Sequence, residues 1–99
     1  MALEKAITHK DNGVAFLMAY HRVEIVTLTK GSAQIAVRVY GSAAVKDRSW
    51  VEARDKLVTG ADFTTYFGDL VYVGGTTNPI RQAYLWLKTL PEYAGALDV

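Results

Sequence analysis

Alternation of apolar and polar side chains dominates the first sixty residues and predicts short strands rather than helices. From Tyr20 to Thr29 the chain is rich in β-branched residues. Strand geometry sets Val23, Ile25 and Thr27 on one face and Tyr20, Arg22 and Glu24 on the other. Lys30-Gly31-Ser32 breaks the run, and Gln34–Tyr40 resumes it, with Ile35, Val37 and Val39 opposite Gln34, Arg38 and Tyr40. Two extended runs joined by a short Gly-containing turn predict an antiparallel hairpin at the centre of a sheet. Asp11-Asn12-Gly13 tolerates positive φ and predicts a second, shorter hairpin between Ala6–Lys10 and Val14–Met18. Gly41–Ser49 has no sustained period and reads as a loop or a single helical turn. Trp50–Thr59 and Phe63–Phe67 read as further strands separated by Gly60-Ala61-Asp62, with a short strand at Leu70–Val73 after Gly68-Asp69.

The period changes near the C-terminus. Asn78 is a cap, Pro79 is preorganised for the first helical position, and a helix over Ile80–Leu90 ends where Pro91 prevents extension. Ile80, Ala83, Tyr84, Trp86, Leu87 and Leu90 share an arc of about 160°, wide enough to lie on a sheet. Leu85 falls outside that arc, among Arg81, Gln82, Lys88 and Thr89, and marks a contact with another chain. Residues 92–99 form a short tail whose Tyr93, Leu97 and Val99 need shelter, either by folding back or by docking on a neighbour. The expected fold class is α+β, mainly β: an antiparallel sheet or small β-sandwich with one C-terminal helix packed on it. One domain spans residues 1–99.

Composition narrows the function classes. The chain has 99 residues, enough for one core that removes roughly two-thirds of the unfolded surface from water. Eleven basic and ten acidic residues are interspersed and leave a formal charge of +1, which disfavours nucleic acid and an anionic membrane as partners. Cysteine is absent, so no disulfide framework exists and folding in a reducing cytoplasm is expected. Val14–Tyr20, the longest early apolar run, is far shorter than the ~20 residues that cross a bilayer, so no leader or membrane anchor is expected.

No catalytic constellation emerges from the spacing, and no enzyme activity, metal or cofactor is expected. His9 and His21 lie on different predicted strands without further ligands at zinc-site spacing. Ser32, Ser42 and Ser49 lack the strained Gly-x-Ser-x-Gly context of an activated serine. Glu52 and Asp55 point to opposite faces of a strand and sit among Arg54 and Lys56 as surface charges. Gly74-Gly75 before the helix lacks the lysine and spacing of a phosphate-binding loop. Among the aromatic residues, most of which fill the core, Tyr40 and Trp50 flank the irregular loop and are the candidates for stacking on a ligand such as a glycan.

The stretch from Asn78-Pro79-Ile80-Arg81 through Leu90-Pro91-Glu92-Tyr93 to Val99 resembles the ending of small, uncharacterised tailed-bacteriophage proteins encoded among tail genes. Those proteins similarly carry an early Ala-Tyr-x-Arg strand, matched here by Ala19-Tyr20-His21-Arg22, then a β-rich middle and a closing helix. The resemblance is strongest over the last twenty or so residues and slight between Gly41 and Gly75. It implies a virion or tail-assembly component at the tail tip, baseplate or fibre attachment, made in the host cytoplasm and carried in the virion tail if retained. It brings no catalytic residues. The partners it implies are other tail proteins and the chain itself as a homo-oligomer, with Leu85, Tyr93, Leu97 and Val99 as contact residues. The alternative is a host-surface glycan-binding module that uses Tyr40 and Trp50.

Overall fold

A computed structural model describes residues 2–8, 13–45, 50–68 and 78–99. Its backbone is a hairpin of two nine-residue strands, β4 (Tyr20–Leu28) and β5 (Ser32–Tyr40), to which shorter strands are added on both sides. β1 (Leu3–Glu4) pairs antiparallel with β4 and is itself flanked by β8 (Leu97–Asp98), so the N- and C-terminal segments share one side of the sheet. On the other side, β6 (Glu52–Ala53) and β7 (Lys56–Thr59) pair with opposite ends of β5, as one edge strand interrupted at Arg54-Asp55. The strand order is β6-β5-β4-β1-β8, with β7 beside β6 along β5. β2 (Ile7–Thr8) and β3 (Ala15–Phe16) make a separate two-stranded hairpin. Its predicted turn residues Asp11 and Asn12 lie outside the described residues, as does His9, while Gly13 has φ +69°.

Both long strands and their connection agree with the alternation in the sequence, but β4 does not keep one phase. The register passes from Val23↔Val37 to Ile25↔Ala36, leaving Glu24 as the extra residue of a β-bulge. One inserted residue exchanges the faces of everything beyond it. Val26, opposite Ile35, therefore turns to the core, while Ile25 is 60 % exposed on the outer face.

Two helices cover the inner face, where one was expected. α1 (Gly60–Phe67) follows β7 without a loop, in place of the expected Phe63–Phe67 strand. Its helical period brings Phe63 and Phe67 onto one side, with ring centroids 6.3 Å apart and Phe67 buried. α2 (Pro79–Leu87) begins as expected: Asn78 Oδ1 accepts from Arg81 N–H at 2.9 Å and Pro79 opens the first turn. It stops at Leu87, short of Leu90, which is half-buried in the following turn. Trp86 Nε1 donates to Asp62 at 3.2 Å and Gln82 Nε2 to the Tyr66 carbonyl at 3.0 Å, joining the two helices.

The core lies between the helices and the inner face. Leu3, Val23, Ala33, Ile35, Val37 and Val58 from the sheet meet Phe67, Ala83, Tyr84, Trp86 and Leu87. Truncating a fully buried residue such as Leu87 to Ala would cost about 2–5 kcal/mol by lost transfer energy and the cavity left behind. A 3₁₀ turn, Ala43–Val45, accounts for the described part of the irregular loop. The expected strand Leu70–Val73 and the Gly74-Gly75 turn lie outside the described residues. Mainly antiparallel β structure with helices is the architecture; the six strands of the larger sheet belong to a single layer.

Candidate interaction surface

Strand parity decides what the outer face of the sheet presents. Even-numbered residues of β5 point outward together with Tyr20 and Arg22, which stand opposite Tyr40 and Arg38 in the register. Near the start of β4 this face is covered: Tyr20 and Tyr40 meet edge to face at 6.3 Å and cluster with Ala2, with Val45 packed against them. Tyr40 is thus 4 % exposed and unavailable as a stacking platform, contrary to expectation, because the N-terminal segment and the 3₁₀ turn close over it. Its hydroxyl donates to Glu24 Oε1 at 2.8 Å and accepts from Arg22 Nη2 at 3.0 Å. Arg22 Nε donates to the same Glu24 oxygen at 2.8 Å. Partial burial favours the neutral acid, but the hydrogen bonds from Tyr40 and Arg22 outweigh it and hold the Glu24 carboxyl below its ordinary range.

Next along the face stands Trp50, half exposed, with the Arg38 guanidinium 5.3 Å from its ring centroid and Arg38 Nη1 donating to Asp55 at 2.7 Å. Beyond it lies a depression of about 400 Å³ lined by Ile25, Thr27, Gln34, Ile35, Ala36 and Leu57 together with the charged Asp55 and Lys56. Ile25 and Leu57 are 60 % and 58 % exposed, and neither α1 nor α2 reaches this side. Sequence reasoning did not single out either residue. Leu57 was legible as the outward position of an alternating strand; Ile25 was not, because its orientation follows from the bulge.

The four expected contact residues separate. Leu97 and Val99 are 60 % and 51 % exposed on the β8 side, and Leu85 is 36 % exposed on α2. Tyr93 is not a surface residue: the tail folds back, a 3₁₀ turn at Pro91–Tyr93 directs the ring inward, and it is 1 % exposed within the core.

The remaining chemistry-bearing residues are engaged in structural bonds. His21, expected at a surface or strand edge, is fully buried, with Nδ1 2.9 Å from Tyr93 Oη and Nε2 3.0 Å from the Lys5 carbonyl. Burial holds its pKa below the ordinary value, helped by the nearby Arg54 charge. Glu52 is also buried, facing inward opposite Val39, and accepts from Arg54 Nε at 2.7 Å. Asp55 pairs with Arg38 rather than with its neighbours in sequence. Ser32 Oγ bonds Thr29 Oγ1 at 2.6 Å within the hairpin turn, and Ser49 lies outside the described residues. Compared with known protein families, curated proteins and solved structures, the chain matches none.

Proposed function

We propose that this chain is a non-enzymatic subunit of a bacteriophage tail or of its assembly, acting through protein–protein contacts at the tail tip, baseplate or fibre attachment. The resemblance of its C-terminal stretch to small phage tail-gene products supplies the context. The observation that carries the contact reading is the outer apolar patch formed by Ile25, Ala36 and Leu57, which leaves the large aliphatic side chains of Ile25 and Leu57 in water around a depression in the sheet face. Leu85, Leu97 and Val99 add apolar contact points elsewhere, and β6/β7 and β8 present strand edges to which another chain can add. Repeated subunits assemble through patches that meet a copy of themselves or a neighbouring surface.

The test is light scattering across concentration on the purified chain and on an Ile25→Lys/Leu57→Lys double variant, both of whose positions are solvent-facing. A concentration-dependent oligomer that the double variant loses supports the reading. A wild-type chain that stays monomeric, and that captures no tail protein when co-expressed with the products of adjacent tail genes, overturns it.

A glycan-binding alternative keeps one favourable observation: Trp50 is half exposed beside Arg38 and Asp55, an aromatic plane next to paired polar groups of the kind that holds a sugar. It loses Tyr40 to the interior. Binding on a glycan array that disappears with Trp50→Ala would favour it over the assembly reading.

A further inference from the structure

Residues Pro91–Val99 are attached to the domain mainly by polar bonds, and one buried aromatic side chain sits at their root. Among the described side chains of this segment, Tyr93 alone is fully buried; Ala96 is half-buried, and Leu97 and Val99 lie in water. Glu92 is held by Lys56 and by Arg54 Nη1 at 3.3 Å. Lys5 Nζ donates to the Ala94 carbonyl, and Lys88 Nζ binds Asp98 at 2.8 Å. The backbone closes with a reciprocal pair, Ala2 N–H to the Val99 carbonyl at 3.1 Å and Val99 N–H to the Ala2 carbonyl at 3.0 Å. The Lys88–Asp98 pair is exposed and contributes little, the Glu92 pairs are partly buried, and Tyr93 supplies the one fully buried side chain of the attachment.

We infer that Pro91–Val99 is a latch keyed by the His21–Tyr93 hydrogen bond and released when the His21 ring gains a proton. The Lys5 carbonyl can only accept, so Nε2 carries the ring hydrogen, Nδ1 is the lone-pair nitrogen, and Tyr93 Oη donates to it. The two rings stand edge to face at 5.0 Å, fixing this arrangement. A second proton on the ring would make Nδ1 a donor. The Tyr93 hydroxyl would then have to turn its hydrogen away, and among the described residues it has no other hydrogen-bond partner. At least one buried donor is left unsatisfied, the turned-away hydroxyl or else both groups facing each other, and the imidazolium charge itself is buried. The Lys5 carbonyl, and Glu52 and Glu92 on β6 and the 3₁₀ turn, favour that charge; burial, with the Arg54 charge beside it, outweighs them in the direction of the neutral ring. Withdrawal of Tyr93 relieves the conflict by admitting water to the ring, and it uncovers the β1 edge at Leu3–Glu4 that β8 occupies. Tyr93 belongs to the same core cluster as Leu3 and Leu87, but the pairing of β4 with β5 does not run through it, so that hairpin is expected to stay closed. The latch operates whether or not the chain assembles with others.

The experiment is amide hydrogen exchange on the full chain between pH 7.5 and 5.5, corrected for intrinsic exchange rates, with the His21 ring titration followed by NMR in the same samples. Protection of the Val99 and Ala96 amides is expected to fall about tenfold per pH unit below the ring's unfolded-state pKa. Protection of the Val37 and Val39 amides is expected to hold. In His21→Gln, whose amide can donate to the Lys5 carbonyl and accept from Tyr93, the tail amides are expected to stay protected at both pH values. Tail protection that is constant with pH, that falls together with the Val37 amide, or that falls equally in His21→Gln overturns the latch. Should His21→Gln fold poorly, the wild-type chain still decides: the fall in tail protection must set in above the pH at which the ring of the folded chain is seen to titrate, and a ring that titrates at its ordinary value in the folded chain refutes the mechanism.

Discussion

The Val23 amide donates to the Tyr84 hydroxyl at 2.9 Å, at the point where β4 bulges. A bulge disturbs the regular ladder, and helix α2 offers an oxygen there. Tyr84 is 1 % exposed, and burial raises its pKa, so the hydroxyl remains protonated across the working pH range. Tyr84→Phe leaves the ring volume but removes the acceptor. The expected loss is about 1–3 kcal/mol, the cost of a buried amide with no partner, measured as a lower denaturation midpoint at unchanged slope.

The same bulge sets two neighbouring β-branched residues in opposite environments. Val26 packs against the core from the inner face, and Ile25 stands in water on the outer. Replacing each by Thr keeps the branching and isolates burial. Val26→Thr should cost about 1–2 kcal/mol by placing a hydroxyl against apolar neighbours, and Ile25→Thr less than about 0.5 kcal/mol. Equal costs would mean that β4 keeps a single phase through Glu24.

Glu24 supplies a pH prediction of definite sign. Its folded-state pKa lies below the unfolded value, so its stabilising effect is present above the unfolded carboxylate pKa and is lost as pH falls through the folded one. Tyr40→Phe removes one of the two hydrogen bonds to the carboxylate. Glu24 should then titrate at higher pH in carboxyl-detected NMR, and the acid limb of the stability curve should become shallower.

The parts of the fold that were legible are those set by neighbours in sequence. Lys30-Gly31-Ser32 between two alternating runs specified the long hairpin, and Asn78-Pro79 specified the start of α2, because turn and cap chemistry are local. What failed depends on contacts distant along the chain. Phe63-Thr64-Thr65-Tyr66-Phe67 has the composition of a strand, yet it is helical because Phe67 packs into the core beside α2. His21 and Tyr40 are interior because residues 2–5, the tail and Val45 close over them. Of the candidate contact residues, the exposed Leu85 was legible as an apolar residue among polar ones, whereas Leu97 and Val99, read as needing shelter, lie in water. Tyr93 was misplaced because a 3₁₀ turn reverses its direction.

The Trp pair offers a spectroscopic check on the two faces. Trp86 is 6 % exposed with its indole N–H on Asp62, and Trp50 is 51 % exposed on the outer face. Iodide should quench the Trp50 emission and spare Trp86. Trp86→Phe should remove the blue-shifted component and, by reducing the buried volume, lower stability by about 1–3 kcal/mol. Emission that quenches uniformly would place both indoles in water.

The two ends of α1 turn on two glycines for different reasons. Gly60 has φ +62° with open space where a Cβ would stand, so Gly60→Ala meets no neighbour and the expected cost of about 1–2 kcal/mol is that of the backbone alone. Gly68 has an ordinary φ of −66°, but a Cβ there would lie 2.5 Å from the Thr64 carbonyl oxygen, so Gly68→Ala must displace the last turn of α1. Asn separates the two causes, since it tolerates the left-handed region but still carries a Cβ. Gly60→Asn should recover part of the loss seen with Ala, whereas Gly68→Asn should recover none. Chemical denaturation of the four variants measures both differences. A Gly60→Ala variant as stable as wild type would mean that the chain passes from strand to helix without the left-handed residue, and that the packing of Phe67 alone holds α1 in place.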